Sequence, residues 1–136
     1  MKAYVYGFEK LTVWQKAIDF VELIYQETQN FPVEERYGLT NQIRRSSISI
    51  PANIAEGTSR SSFKDQAHFS QLAFSSLTET VNHLFIAYRL GYLNKELLET
   101  FQKRLHEISN LLNALRNSQL KSHTSNQQIN KSTNQQ

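Results

Sequence analysis

Apolar side chains recur at steps of three and four in four separate stretches of the sequence. That spacing puts them on one face of a helix turning 3.6 residues per turn. Four such stripes in one short chain leave few architectures other than helices packed on helices. In the first stretch the stripe is Trp14, Ala17, Ile18, Val21, Ile24, Tyr25 and Thr28. Thr12 and Gln15 match a capping box, in which the threonine hydroxyl accepts from the backbone at Gln15 and the glutamine side chain reaches back. Asn30-Phe31-Pro32 stops the helix, because the residue before a proline is pushed out of the α region. Eighteen helical residues span about 27 Å, a suitable length for a bundle.

The second helix is expected from Leu39 to Arg60, with Leu39, Ile43, Ile50 and Ile54 on one face. Pro51 removes one backbone hydrogen bond inside it and predicts a kink rather than a stop. Ser47-Ile48-Ser49-Ile50 alternates as a strand would, but a lone strand has nothing to pair with here. Ser62 opens the third helix, with Asp65 favouring the positive end of its dipole, and Gly91 closes it in the left-handed conformation. Asn94 caps the fourth, striped by Leu97, Leu98, Phe101, Leu105, Ile108, Leu111, Leu112 and Leu115. From Ser118 to Gln136 Ser, Thr, Asn and Gln dominate, a composition that buries too little surface to offset its ordering entropy. The expected fold is therefore all-α: an antiparallel up-down-up-down four-helix bundle over residues 1–117, followed by a disordered polar tail over 118–136.

At 136 residues, 39% of them hydrophobic, the chain suits a single domain with a real core. It has no cysteine, which excludes disulfides, thiolate metal sites and cysteine nucleophiles. Met1 to Lys10 carries no signal-like apolar run and no stretch is long and apolar enough for a membrane, so a cytoplasmic protein with no membrane partner is expected.

A monomeric bundle needs one apolar stripe per helix, and two helices carry more. In the third, Phe63, Ala67, Phe74, Leu77, Val81, Leu84, Phe85 and Tyr88 form one broad face, while Phe69, Leu72, Ala73 and Ala87 form a second. In the second, Ile48, Ala52 and Ala55 point away from the core stripe. An outward apolar patch marks a protein–protein surface, so Ile48, Ala52, Phe69 and Leu72 are the expected contacts of a homo-oligomer. Partial burial of both stripes within one subunit is the alternative.

Catalytic chemistry finds little support. Asp65-x-x-His68 has an acid-then-histidine spacing, but di-metal bundles need such a motif on two helices plus two further inward acids. Glu79 and His83 read as a lone surface pair, and the scattered glycines build no phosphate loop. No catalytic residue, metal ligand or cofactor is assigned, and an enzyme is not expected. Pro51, Asn53, Glu56 and Gly57 read as a structural motif: a helix kink, a half-buried amide needing partners, an ion pair with Arg60, and room for close helix approach.

The net charge is only +3, but it is unevenly spread. Between Glu9 and Glu35, two lysines face six acids, a net of −4; between Arg44 and Lys64, Arg44, Arg45, Arg60 and Lys64 face Glu56 alone, a net of +3. Arg44 and Arg45 fall away from the core stripe. These four cations, with few aromatics among them, suit phosphate contacts better than base stacking. Solvated arginines or salt bridges between subunits fit the same pattern.

The stretch Phe31-Pro32-x-Glu34-Glu35-x-Tyr37-Gly38-Leu39-Thr40-x-Gln42-Ile43-Arg44-Arg45, followed by Ser49-Ile50-Pro51-Ala52-Asn53-Ile54-Ala55-Glu56-Gly57, resembles the family named for the 23S ribosomal-RNA intervening-sequence protein. Leu11-x-Val13-Trp14-Gln15-x-Ala17, Ser76-Leu77-x-Glu79 and Leu90-Gly91-Tyr92-Leu93 are similar to it as well, so the resemblance covers roughly residues 8 to 116. Ser75 stands where the family usually carries a glycine. The resemblance implies a left-handed antiparallel bundle assembled as a ring-shaped homopentamer. It also implies kinship with accessory proteins of diversity-generating retroelements, which engage a reverse transcriptase and nucleic acid. The combined expectation is a non-enzymatic homo-oligomer binding structured RNA through a basic rim of Arg44, Arg45, Arg60 and Lys64; a protein-interaction scaffold without nucleic-acid contact is the alternative.

Overall fold

The computed structural model describes residues 3–134, with side chains through residue 131, so the end of the predicted tail lies outside the described residues. The described residues form four long helices and no strand: α1 (Thr12–Thr28), α2 (Leu39–Thr58), α3 (Phe63–Arg89) and α4 (Lys95–Asn134). One short 3-10 turn, Gly7–Lys10, precedes α1, and another, Val33–Glu35, lies between α1 and α2. No helix among the described residues is long and apolar enough to cross a membrane.

Neighbouring helices meet in opposed register. Thr80 and Ser46 share a 2.8 Å hydrogen bond between α3 and α2, and further along Gly57 of α2 lies against Phe69 of α3. Lys16 meets Glu107 and Phe20 meets Phe101, so residue numbers rise along α1 as they fall along α4. One core runs through all four helices, built on Phe20, Ile24, Ile43, Ile50, Leu84 and Phe101, each less than 2% exposed. At one end of the bundle Phe31 and Tyr92 bring the two turns together, ring centroids 5.6 Å apart.

Most helix ends form as expected. The Ser62 hydroxyl accepts from the Asp65 N–H at 3.1 Å, Asn94 Oδ1 accepts from Leu97 N–H at 2.8 Å, and Gly91 adopts φ +83°. The start of α1 differs. Thr12 is already helical and makes no cap; Gln15 Nε2 instead donates to the Glu9 carbonyl at 2.7 Å. The Glu9 carboxylate in turn accepts from the Tyr6 N–H at 2.6 Å, so the preceding turn takes over the stabilising role of the box. Helix α2 passes through Pro51 without stopping and ends at Thr58, where the Thr58 and Ser59 hydroxyls bond back to the carbonyls of Ala55 and Glu56.

The third helix buries a line drawn from both predicted stripes, the partial burial within one subunit that was the alternative to an outward patch. Its core line is Ala67, Ser70, Ala73, Leu77, Thr80, Leu84 and Ala87, whereas Phe63, Phe85 and Tyr88 are exposed. Small side chains let α2 and α3 approach closely, and the two buried hydroxyls of α3 are tolerated because each finds a partner: Thr80 with Ser46, Ser70 with Gln119 at 2.7 Å. The predicted boundary after residue 117 is not a break in α4. Gln119 is buried against α3, and Ser122 and His123 are half-covered; from Thr124 to Lys131 the side chains are exposed. The polar composition of that segment expresses itself as a solvated helix extending past the core.

Candidate functional site

The segment Pro51–Gly57 is a packing device. Pro51 is buried, and Asn53 Nδ2 donates back to the Ser49 carbonyl at 2.8 Å, meeting its need for a partner within its own helix. Glu56 pairs with Arg60 at 2.9 Å, as the four-residue spacing predicted. A Cβ placed on Gly57 would stand 2.9 Å from the Phe69 Cβ, so the glycine sets the closest approach of α2 to α3.

The four predicted phosphate-binding cations do not form one cluster. Helix α2 rises about 21 Å from Arg44 to its last residue, Thr58, and Arg60 lies beyond that end. Arg44, expected to point away from the core, is docked: its Nε donates to the buried Thr28 Oγ1 at 2.9 Å and its guanidinium lies 4.5 Å from the Tyr25 ring centroid. Its length lets it reach across from α2 to the end of α1, which the stripe geometry of α2 alone does not reveal. Arg60 is engaged twice, by Glu56 and by the Phe69 ring at 4.5 Å. Arg45 and Lys64 are exposed.

The expected association residues divide the same way. Phe69 and Leu72 are half-buried, with Phe69 against Gly57, Arg60 and His68 of its own chain. Ile48 and Ala52 are exposed, and with Asn41, Arg45 and the half-buried Ala55 they form an outer line on α2 spaced four, three, four, three. That is the heptad spacing of a helix–helix seam. Between α3 and α4 lies a shallow groove of about 360 Å³, lined by Phe74, Leu77, Val81, Leu105 and His106.

A further cationic surface escaped the sequence reading. Lys16 of α1 and Lys103 and Arg104 of α4 line a groove of about 500 Å³ together with Asp19 and Glu107. Lys16 Nζ lies 2.6 Å from Glu107. That hydrogen bond and the ammonium charge, aided by Arg104 and Lys103, hold the Glu107 carboxyl below the ordinary carboxylate range against a small opposing effect of desolvation. The Lys103-Arg104 pair on the polar side of the α4 stripe was the available signal; its partner on α1 becomes visible only once the helices are paired. Glu79 and His83 form the expected surface pair at 3.3 Å. Among the described residues no three His, Cys, Asp or Glu side chains gather as a metal-holding group.

An all-helical bundle with charged outer faces and an apolar seam along its second helix is the class of protein that this fold and surface define. More particularly, the chain belongs to the family of the 23S rRNA-intervening sequence protein, which it matches over residues 9–114. It is similar to a crystal structure of a protein with unknown function from the S23 ribosomal protein family of Bacteroides thetaiotaomicron VPI-5482. The two are 28% identical with a TM-score of 0.70, over 77% of this chain and 98% of that one. Comparison with curated proteins gives no match.

Proposed function

We propose that this chain is a non-catalytic bundle that assembles as a homo-oligomeric ring, a pentamer by family resemblance, and binds structured RNA through cations repeated around that ring. The observation that carries the proposal is the outer line of α2, where exposed Ile48 and Ala52 stand at heptad spacing beside exposed Arg45. A heterologous ring needs two different complementary faces on each subunit. The α2 seam offers a low ridge, and the α3–α4 groove around Phe74 and Val81 offers an apolar recess. Arg45, Lys64, Lys103 and Arg104 would then recur once per subunit, and repetition turns weak phosphate contacts into avidity. The family name, which refers to ribosomal RNA, agrees in direction.

The test joins light scattering to a salt titration of RNA binding, with Arg45→Ala/Lys64→Ala set against wild type. An oligomer whose RNA affinity falls with salt, less steeply in the variant, is expected. A monomer by scattering refutes the ring. An oligomer that binds no RNA at low salt favours the second reading, a scaffold for a partner protein such as a reverse transcriptase, which the internal engagement of Arg44 and Arg60 supports.

A further inference from the structure

The N-terminal segment carries aromatic rings in an unusual setting. Tyr6 has an extended backbone, φ −78° and ψ 150°, and the 3-10 turn Gly7–Lys10 begins directly after it, which leaves Tyr4, Tyr6 and Phe8 close together. Their rings form a ladder: Tyr4 to Tyr6 at 4.9 Å edge-on, Tyr6 to Phe8 at 5.7 Å and nearly parallel, and Phe8 to Trp14 at 5.1 Å. The inner rung, Trp14, packs against the core, while Tyr4 is 78% and Tyr6 57% exposed. The ladder is also held in place. Glu9 accepts from the Tyr6 N–H, and Gln15 donates to the Glu9 carbonyl, tying the segment to α1.

Charge identifies what such a ladder meets. Its 3-10 turn packs on α1 and α2 at the end of the bundle where α1 begins and α2 finishes. Lys10 is exposed in that turn, and at the same end lie the exposed Lys64, in the first turn of α3, and Arg60, which Glu56 and the Phe69 ring hold. Along the sequence these cations have few aromatics between them; the fold supplies the rings from the N-terminus. Held π faces at the same end of a bundle as cations suit single-stranded nucleic acid, with bases stacking and phosphates paired. The 5.7 Å spacing of Tyr6 and Phe8 leaves no room for a base between them, so stacking takes place on the outer faces, Tyr4 first.

We infer that Tyr4 and Tyr6 form a stacking platform for unpaired bases, so that the RNA bound by this protein is a stem with an adjoining single-stranded segment. The inference rests on the RNA-binding function proposed above and adds to it the part of the RNA that is read.

The experiment compares two labelled RNAs by fluorescence anisotropy: a blunt stem, and the same stem with an unpaired uridine tail of about six nucleotides, within the site sizes such platforms use. Each is titrated with the full chain and with Tyr4→Leu/Tyr6→Leu, which keeps apolar bulk and removes the π faces. Thermal unfolding of the variant checks that the bundle is intact, as expected for exposed positions. The tail is expected to tighten binding to wild type by about tenfold, and the variant is expected to lose that gain while binding the blunt stem as wild type does. A tail effect that persists in the variant, or no tail effect at all while both stems bind, overturns the platform and leaves RNA binding standing. If wild type binds neither RNA at low salt, the proposed function itself is refuted. A variant that loses its oligomeric state but keeps the tail effect shows the rings to be a subunit contact and overturns the inference.

Discussion

Gly57→Ala tests whether the closeness of α2 and α3 depends on one missing methyl group. In an ordinary helix interior the change from glycine to alanine stabilises by about 0.5–1 kcal/mol. Here the new Cβ would fall 2.9 Å from the Phe69 Cβ and 3.5 Å from the Gln66 carbonyl oxygen. The first of these atoms sits on the α3 backbone and cannot swing aside as a flexible side-chain end would. Relief requires the helices to separate, at the cost of core contacts that overpacking usually sets at about 1–3 kcal/mol. The difference is a net loss of about 1 kcal/mol, or a fall in Tm of about 4 °C for a domain of this size. Thermal unfolding at one fixed protein concentration measures it, since any oligomer would make Tm depend on concentration. Phe69→Gly sharpens the test by removing the atom that clashes. In that background Gly57→Ala is expected to stabilise, by about the helix-propensity difference alone. A Gly57→Ala protein that melts at or above wild type would refute the reasoning, as would the same loss in both backgrounds.

Arg44→Ala should destabilise the fold by about 1–2 kcal/mol, because it leaves the buried Thr28 hydroxyl without its donor and uncovers the Tyr25 ring; Arg45→Ala should leave stability within about 0.5 kcal/mol, and denaturant titration separates them. Ile48→Asp should give a folded monomer by light scattering, since Ile48 is 41% exposed and lies on the outer seam; an unchanged oligomer would move the interface elsewhere. Glu107 gives a pH prediction whose sign is fixed. Its folded-state pKa lies below the unfolded one, so its contribution is present above the unfolded value and is lost as pH falls through the depressed folded value. Lys16→Ala should return the Glu107 titration, followed by NMR, toward the ordinary glutamate range, and no movement would contradict the pairing.

The ends of the helices were legible from single residues because caps are local chemistry: Ser62, Asn94 and Gly91 need only their own backbone neighbours. Helix α4 was legible for a similar reason, with Leu98, Phe101, Leu105, Ile108 and Leu112 all buried. The buried face of α3 was not. A hydrophobic stripe assumes that large residues face inward, but the neighbouring helices come so near that Ser70, Ala73, Thr80 and Ala87 join the buried line and the phenylalanines move to its margins. Arg44 was misplaced because its partners, Thr28 and Tyr25, belong to another helix. The same limit hid the groove of Lys16, Lys103 and Arg104, which exists only between α1 and α4. The aromatic ladder had a local signal, the alternation of Tyr4, Tyr6 and Phe8, but its relation to Arg60 and Lys64 depends on which ends of α1 and α2 adjoin.

The four helices differ greatly in length. Helix α4 has 40 residues and α1 has 17, so at the usual rise they extend about 60 Å and about 26 Å. A compact chain of this length has a radius of gyration of about 14 Å, so one helix here outspans the sphere its own mass would fill. Drag in solution follows the longest dimension more than the mass. A single subunit should therefore leave a sizing column ahead of a globular standard of equal weight, and a column volume read as a mass would overcount subunits.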